Sequence, residues 1–179
     1  MASTLRRLHR FRHALCALVL LLGGSARAES EAGVKAAYLV NFAKFVEWPA
    51  SAFGSGKAPL VIGIVGRDAV GDELLRAGSG VSANGHPIEV RRISAGEARE
   101  CHLVFIPETE RGDGVIAAAQ GSPVLVVGEG ESFTHRGGSL GFVKDGGTVK
   151  FEANPKAAAR NGLNVSAKLL RVARAVIDK

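Results

Sequence analysis

Cysteine is scarce in this chain: among its 179 residues only Cys16 and Cys101 carry a thiol. Cys16 lies in an N-terminal apolar run that is expected to be removed, which leaves Cys101 as a free cysteine with no partner for an intramolecular disulfide. Metal-ligand spacing is missing as well. Cys101 and His102 are adjacent and would point to opposite faces of a strand, and His86 and His135 have no partner at ligand spacing, which argues against zinc. No Gly-x-Ser-x-Gly elbow occurs, and in Ser166-Ala167-Lys168 the serine is accounted for as a helix cap rather than a nucleophile. Gly63-x-x-Gly66 falls short of a dinucleotide fingerprint, which needs its full set of glycines in one turn. There is no internal repeat, no low-complexity tract and no second long apolar run. The expectation from these absences is a protein that is not an enzyme and holds no cofactor and no metal.

Excess charge is the next absence, once the N-terminus is set aside. Arg6, Arg7, Arg10 and Arg12 form a basic region, Ala14 to Leu22 an apolar one, and Ala26-Arg27-Ala28 a small-x-small cleavage site. The apolar run is about half the ~20 residues a membrane-spanning helix needs. Residues 1–28 are therefore expected to be a signal peptide, cut between Ala28 and Glu29, with no membrane insertion after processing. Residues 29–179 form one α/β domain by length. The first 28 residues hold five of the 23 basic groups and no acidic one, so the remainder carries 18 basic against 17 acidic groups, a net +1. A nucleic-acid partner gains no support from that balance.

What is present is a set of buried-strand patterns. Leu60 to Val65 is a continuous apolar run rich in β-branched residues, and His102 to Ile106 and Pro123 to Gly128 repeat it. Runs apolar on both faces belong to strands sandwiched between helices, and helix-compatible sequence separates them. The fold expected is a three-layer, Rossmann-like or flavodoxin-like α/β sheet, mostly parallel, with flanking helices and an antiparallel C-terminal hairpin. Glu31 to Val46 is expected to be a helix with Val34, Tyr38, Phe42 and Phe45 on one face, ended by Trp48-Pro49. Asp68 caps a helix to about Ala77, Asn84-Gly85 makes a turn, and Ile88 to Ile93 alternates like a half-exposed strand near a sheet edge. Ser94 with Glu97 matches a capping box. Asp113 to Gln120 is a helix, Leu140 to Lys144 and Thr148 to Ala153 a hairpin over Asp145-Gly146-Gly147, and Asn154-Pro155 a helix start. A final helix is expected from Ser166, with Leu169, Leu170, Val172, Ala173, Val176 and Ile177 in one apolar arc.

Two regions draw attention as surfaces. Trp48 and Phe53 flank a loop rich in glycine, serine and alanine; core packing against the sheet and a partner-binding face both account for them. The glycine-rich stretch Gly128 to Gly141, with Thr134, His135 and Arg136, is either an ordinary surface loop or a source of backbone donors for an anion.

The residues also carry a family resemblance. The helix KAAYLVNFAKFVEWP (Lys35 to Pro49) and the C-terminal GGSLGFVKDGGTVKFEANPKAAARNGLNVSAKLLRVA (Gly137 to Ala173) are the distinctive strings. Asn84 to Ile93, Cys101 to Ile106 and Pro123 to Glu129 run collinear between them. Together they resemble the YfiR family. The resemblance implies a periplasmic protein of Rossmann-like build that tends to form a homodimer. In the best-known member it implies binding to the periplasmic domain of a membrane-bound diguanylate cyclase, holding it inactive. Release, through an outer-membrane lipoprotein or a redox signal, raises cyclic-di-GMP and promotes biofilm formation. It brings no catalytic residues. In that member a disulfide ties the first strand to the strand at the Cys-His motif; here Gly63 stands in the first strand and only Cys101 is present. The alternative function is a periplasmic small-ligand-binding module, or an adaptor for a transporter or sensor kinase.

Overall fold

The computed structural model describes residues 30–54, 56–130 and 132–178. The proposed signal peptide, its Ala28–Glu29 cleavage site and Cys16 lie outside these residues. Helix α1 spans Glu31–Phe45, capped by Ser30, whose hydroxyl accepts from the Gly33 N–H at 3.1 Å. The chain continues through β1 (Val46–Glu47), a 3-10 turn at Ala50–Ala52, β2 (Leu60–Val65), α2 (Ala69–Ala77), β3 (Ser82–Ala83) and β4 (His86–Ile93). A second 3-10 turn, Ala95–Glu100, carries the expected capping box of Ser94 and Glu97 and leads into β5 (Leu103–Ile106). Then come α3 (Asp113–Ala119), β6 (Leu125–Glu129), β7 (Leu140–Asp145), β8 (Thr148–Ala153), α4 (Pro155–Arg160), β9 (Asn164–Val165), α5 (Ala167–Val172) and β10 (Ala175–Val176).

Eight strands form one sheet in the order β10-β8-β7-β6-β5-β2-β4-β3. Its centre, β4-β2-β5-β6-β7, is parallel throughout. That is the 2-1-3-4-5 strand order of flavodoxin-like sheets, and the expected mostly parallel α/β class is what the chain adopts. The hairpin β7–β8 is antiparallel, with Asp145 opposite Thr148 and a two-residue Gly146-Gly147 loop. Both loop residues have positive φ, 56° and 80°, the conformation a tight hairpin needs and one that glycine adopts at no steric cost.

Alternation along the strands divides the core in two. Ile62, Ile64, Leu103, Phe105, Leu125 and Val127 pack with α1 and α2 on one face. Val104, Ile106, Val124 and Val126 pack with Ala98, Val115 and Ala119 on the other. This is the two-faced burial that continuous apolar strands require. On the first face, Phe42 lies 4.9 Å from Phe151 and 5.7 Å from Phe142, ring centre to ring centre, with Tyr38 beside all three. The buried face of α1 is Ala36, Leu39, Val40, Phe42 and Ala43. Phe45, expected on that face, is 40% exposed, because α1 ends there and the chain turns into β1, which pairs with β9.

The C-terminus departs further from expectation. The final helix stops at Val172 rather than running on to Ile177, and Ala175–Val176 joins the sheet parallel to β8. Val172 is 66% and Val176 48% exposed, so the expected apolar arc does not form. The open edge of β8 decides this: its carbonyls at Phe151 and Ala153 accept from the Arg174 and Ile177 N–H groups at 2.8 and 2.7 Å. The unpaired groups of the β8 edge need partners, and residues 174–177 supply them.

The glycine-rich stretch after β6 has a packing explanation. Phe133 is 2% exposed, and a Cβ at Gly128 or Gly138 would overlap its ring. Gly112 and Gly141 border the same ring. The glycines form a slot for one aromatic anchor, and Thr134, buried next to it, is spent on Glu152 and Asn154.

Candidate functional site

The two ends of the parallel sheet carry different chemistry. At the amino ends of β2, β4 and β5 the rings of His86, Phe53 and His102 form a three-layer stack. Phe53 lies 3.7 Å from His86 at 9° and 4.5 Å from His102 at 13°. Trp48 stands edge-on to His102 at 6.5 Å, and its indole N–H donates to the His102 carbonyl at 3.1 Å. Trp48 and Phe53 are both half-buried and lean on the first core. The turn chemistry explains the arrangement. Pro49 ends the extended segment after α1, the 3-10 turn folds Phe53 back, and β4 and β5 each begin with, or just after, a histidine.

His102 holds this end together. Its Nδ1 accepts from the Val61 N–H at 3.0 Å, and its Nε2 lies 3.1 Å from the Ala52 carbonyl. Burial lowers its pKa below the usual 6.5, the Ala52 carbonyl acting against it and His86 with it. His86 Nδ1 lies 2.7 Å from the Ala58 carbonyl. Cys101, one residue before, points the other way into the second core. Burial pushes its thiol pKa up, against the Arg91 guanidinium, so it is poorly suited to nucleophilic work. A Cβ on Gly63 would lie 2.7 Å from Cys101 Sγ and 2.6 Å from Ile93 Cδ1; the Cys101 thiol packs directly over the glycine.

At the carboxyl ends of β5 and β6, beside the β7–β8 hairpin, a crevice of about 470 Å³ is lined by charges. Lys35 of α1 reaches Glu129 at 2.6 Å and Glu31 at 2.7 Å; its side chain is 13% and that of Glu129 11% exposed. Burial alone would lower the Lys35 pKa, but the two carboxylates outweigh it and hold the ammonium above its usual range. Glu129 also accepts from the Glu108 N–H at 3.0 Å. Arg174 pairs with Glu152 at 3.1 Å. An adjoining hollow shares Glu108, Glu129 and Gly130 and adds Glu110, Asp113 and Arg136. Open α/β sheets place ligands at this end. Here the chain's own ion pairs occupy it, and Glu110 sits where a side chain at Gly66 would go.

Of the residues singled out from sequence, Trp48 and Phe53 both contact His102; Cys101 packs in the second core. The two histidines and the Lys35–Glu129 pair were not singled out as partners. His86 begins β4 and His102 immediately precedes β5, which puts both rings at the amino end of the parallel sheet. Lys35 and Glu129 are far apart in sequence and carry no local signal. Among the described residues no group of three His, Cys, Asp or Glu is placed to hold a metal, and no helix is long and apolar enough to cross a membrane.

Residues 32–174 match the YfiR/HmsC-like family. The chain belongs to that family. Its members are periplasmic regulators rather than catalysts, and a role in signalling through a protein partner follows from membership. Among solved structures, the chain is similar to the ABC domain from Streptococcus pneumonia, solved in complex with L-Trp (TM-score 0.50, 16% identity). That match covers 79% of this chain, which in turn spans only 60% of the other. A likeness at that identity supports the α/β fold and nothing about ligands.

Proposed function

We propose that this YfiR-like protein is exported to the periplasm by residues 1–28 and works there as a single domain, residues 29–179. It binds the periplasmic part of an inner-membrane diguanylate cyclase and limits cyclic-di-GMP production and biofilm formation. The collinear family match over residues 32–174 carries this reading. Trp48 and Phe53 are the docking surface: they combine half-exposed aromatic area with a rigid base, the features of interface hot spots. A homodimer and an outer-membrane lipoprotein as the releasing partner belong to the same reading. The mechanism is a population shift. A repressor lowers activity only by its preference for the inactive cyclase, and equal affinity for both conformations shifts nothing. Redox release through an internal disulfide has no support here, because Gly63 stands opposite Cys101 and supplies no sulfur.

The test is cyclic-di-GMP in a deletion strain, in the strain complemented with the exported chain, and in a double deletion lacking the cyclase. The nucleotide should rise, return and fail to rise, in that order. A wild-type level in the single deletion, with the cyclase expressed, rejects the repressor reading.

The charged crevice favours a second reading, a small-ligand-binding module or an adaptor for a transporter or sensor kinase. Its mixed signs suit a zwitterion rather than a phosphate ester. L-Trp, the ligand of the similar ABC domain, is a direct probe. Saturable heat of binding that Lys35→Met abolishes would support this reading, and no heat at millimolar concentration would count against it.

A further inference from the structure

We propose that the His86–Phe53–His102 stack is an acid-released clasp: with His102 neutral it holds Phe53 on the amino ends of the sheet beside Trp48, and protonation of His102 lets Phe53 go. The consequence for docking rests on the surface assigned above; the clasp itself does not.

The two ring nitrogens of His102 are used in opposite senses. Nδ1 accepts from the Val61 N–H, so it carries no proton, and Nε2 faces the Ala52 carbonyl, so it carries one. Only the neutral Nε2–H tautomer satisfies both neighbours. A second proton on Nδ1 sets donor against donor at Val61. The ring must then turn away from its near-parallel position over Phe53, and the 4.5 Å stack opens. His86 behaves differently, because its Nδ1 donates to the Ala58 carbonyl and charging the ring keeps that bond. An imidazolium over the face of Phe53 is attracted to it, but His102 reaches that state only by giving up Val61. Phe53 also separates two histidines, and charge on His86 disfavours charge on His102.

The charged groups on the surrounding elements leave this balance alone. Lys57 is exposed beyond the turn, and Glu89 is exposed on β4. Glu47 on β1 accepts from Asn164 at 2.8 Å, and Glu100 before β5 pairs with Arg91 at 3.1 Å. Among the described residues none of them bonds either imidazole. His86 is the one charged group that acts on His102, in the same direction as burial. The sign follows. The folded pKa is depressed, so the released state binds the extra proton. The clasp is fully present above about pH 6.5 and is lost as pH falls from there through the folded value. Trp48 reports on the event from beside it: its ring stands edge-on to the His102 imidazole at 6.5 Å. Its indole bond to the His102 backbone carbonyl is independent of the ring's charge.

The experiment uses the purified chain with no partner, so its outcome is independent of whether the cyclase is the target. Amide exchange at Val61 and Phe53, corrected for intrinsic chemistry, is measured from pH 7.5 to 5.5 alongside fluorescence of the sole tryptophan, Trp48. Wild type should lose severalfold, at most about tenfold, in protection across that range, with far-ultraviolet circular dichroism unchanged. His102→Gln should abolish the pH dependence, and His86→Gln should retain it with a higher midpoint. Equal protection at both ends of the range in wild type overturns the proposal, as does an unchanged midpoint in His102→Gln. Should His102→Gln fail to fold, the nuclear magnetic resonance titration of the wild-type imidazoles decides. A His102 midpoint at or above 6.5 overturns the clasp; a lower midpoint coincident with loss of Val61 protection supports it.

Discussion

The two ends of this sheet are held by different forces, and the contrast is what the proposed docking surface rests on. At the carboxyl ends of β5 and β6, opposite charges lie within 2.6–3.1 Å of one another, and each is already answered by the chain itself. At the amino ends, contacts are made by ring faces and backbone carbonyls, and the outer parts of Trp48 and Phe53 remain open. A satisfied ion network fixes geometry and resists rearrangement. A half-exposed aromatic pair leaves apolar surface for a partner to cover. On the proposed reading, the usual ligand end of an α/β sheet is given to structure and the opposite end to recognition.

The largest break in that comparison should come from Phe133→Ala. Emptying the glycine slot should cost about 3–5 kcal/mol in urea unfolding and loosen the carboxyl-end crevice, while Trp48 emission stays where it is. A shifted Trp48 spectrum in the folded variant would show that the two ends are coupled. Next is Lys35→Ala, which leaves Glu129 buried without its cation. The loss should be on the order of 3 kcal/mol, and Lys35→Ala with Glu129→Gln should recover part of it. A double variant no better than the single one would mean the pair is not what stabilises this end.

Gly63→Ala tests the boundary between the two ends. Its Cβ would meet Ile93 Cδ1 at 2.6 Å and Cys101 Sγ at 2.7 Å. Because both are side-chain ends that can give way, the cost should be about 1–3 kcal/mol, read by thermal unfolding. A neutral change would mean the facing pair is looser than its spacing implies. The smallest effect belongs to Lys156–Asp178, an ion pair at 2.9 Å with both partners more than half exposed. Lys156→Ala should change stability by no more than ~1 kcal/mol. A larger loss would show that β10 depends on this surface tether.

The parallel core was legible in the sequence because β-branched runs such as Leu60 to Val65 state their two-faced burial locally. The capping residues Asp68, Ser94 and Asn154 were equally plain, since a cap is a contact made three residues away. What was hidden was set by distance. Nothing near residue 175 reveals that β8 lies alongside with an open edge, so six apolar residues at helical spacing suggested one long helix. Phe45 looked like core because the period continued, although the helix did not. Phe133 gave its neighbours' glycines the look of an anion loop. The aromatic pair at the amino end was visible, but its histidine partners come from β4 and the approach to β5, and only the sheet order brings them together.

The central claim is that the amino-end aromatics, and not the carboxyl-end charges, meet the partner. Binding of the cyclase's periplasmic domain to wild type, Trp48→Ala and Lys35→Met, each beside its own melting curve, tests it most directly. The account predicts that Trp48→Ala weakens binding by about 2 kcal/mol or more, roughly thirtyfold, while folded Lys35→Met binds as wild type does. Unchanged affinity in Trp48→Ala with a large drop in melting temperature, or lost affinity confined to Lys35→Met, would contradict it.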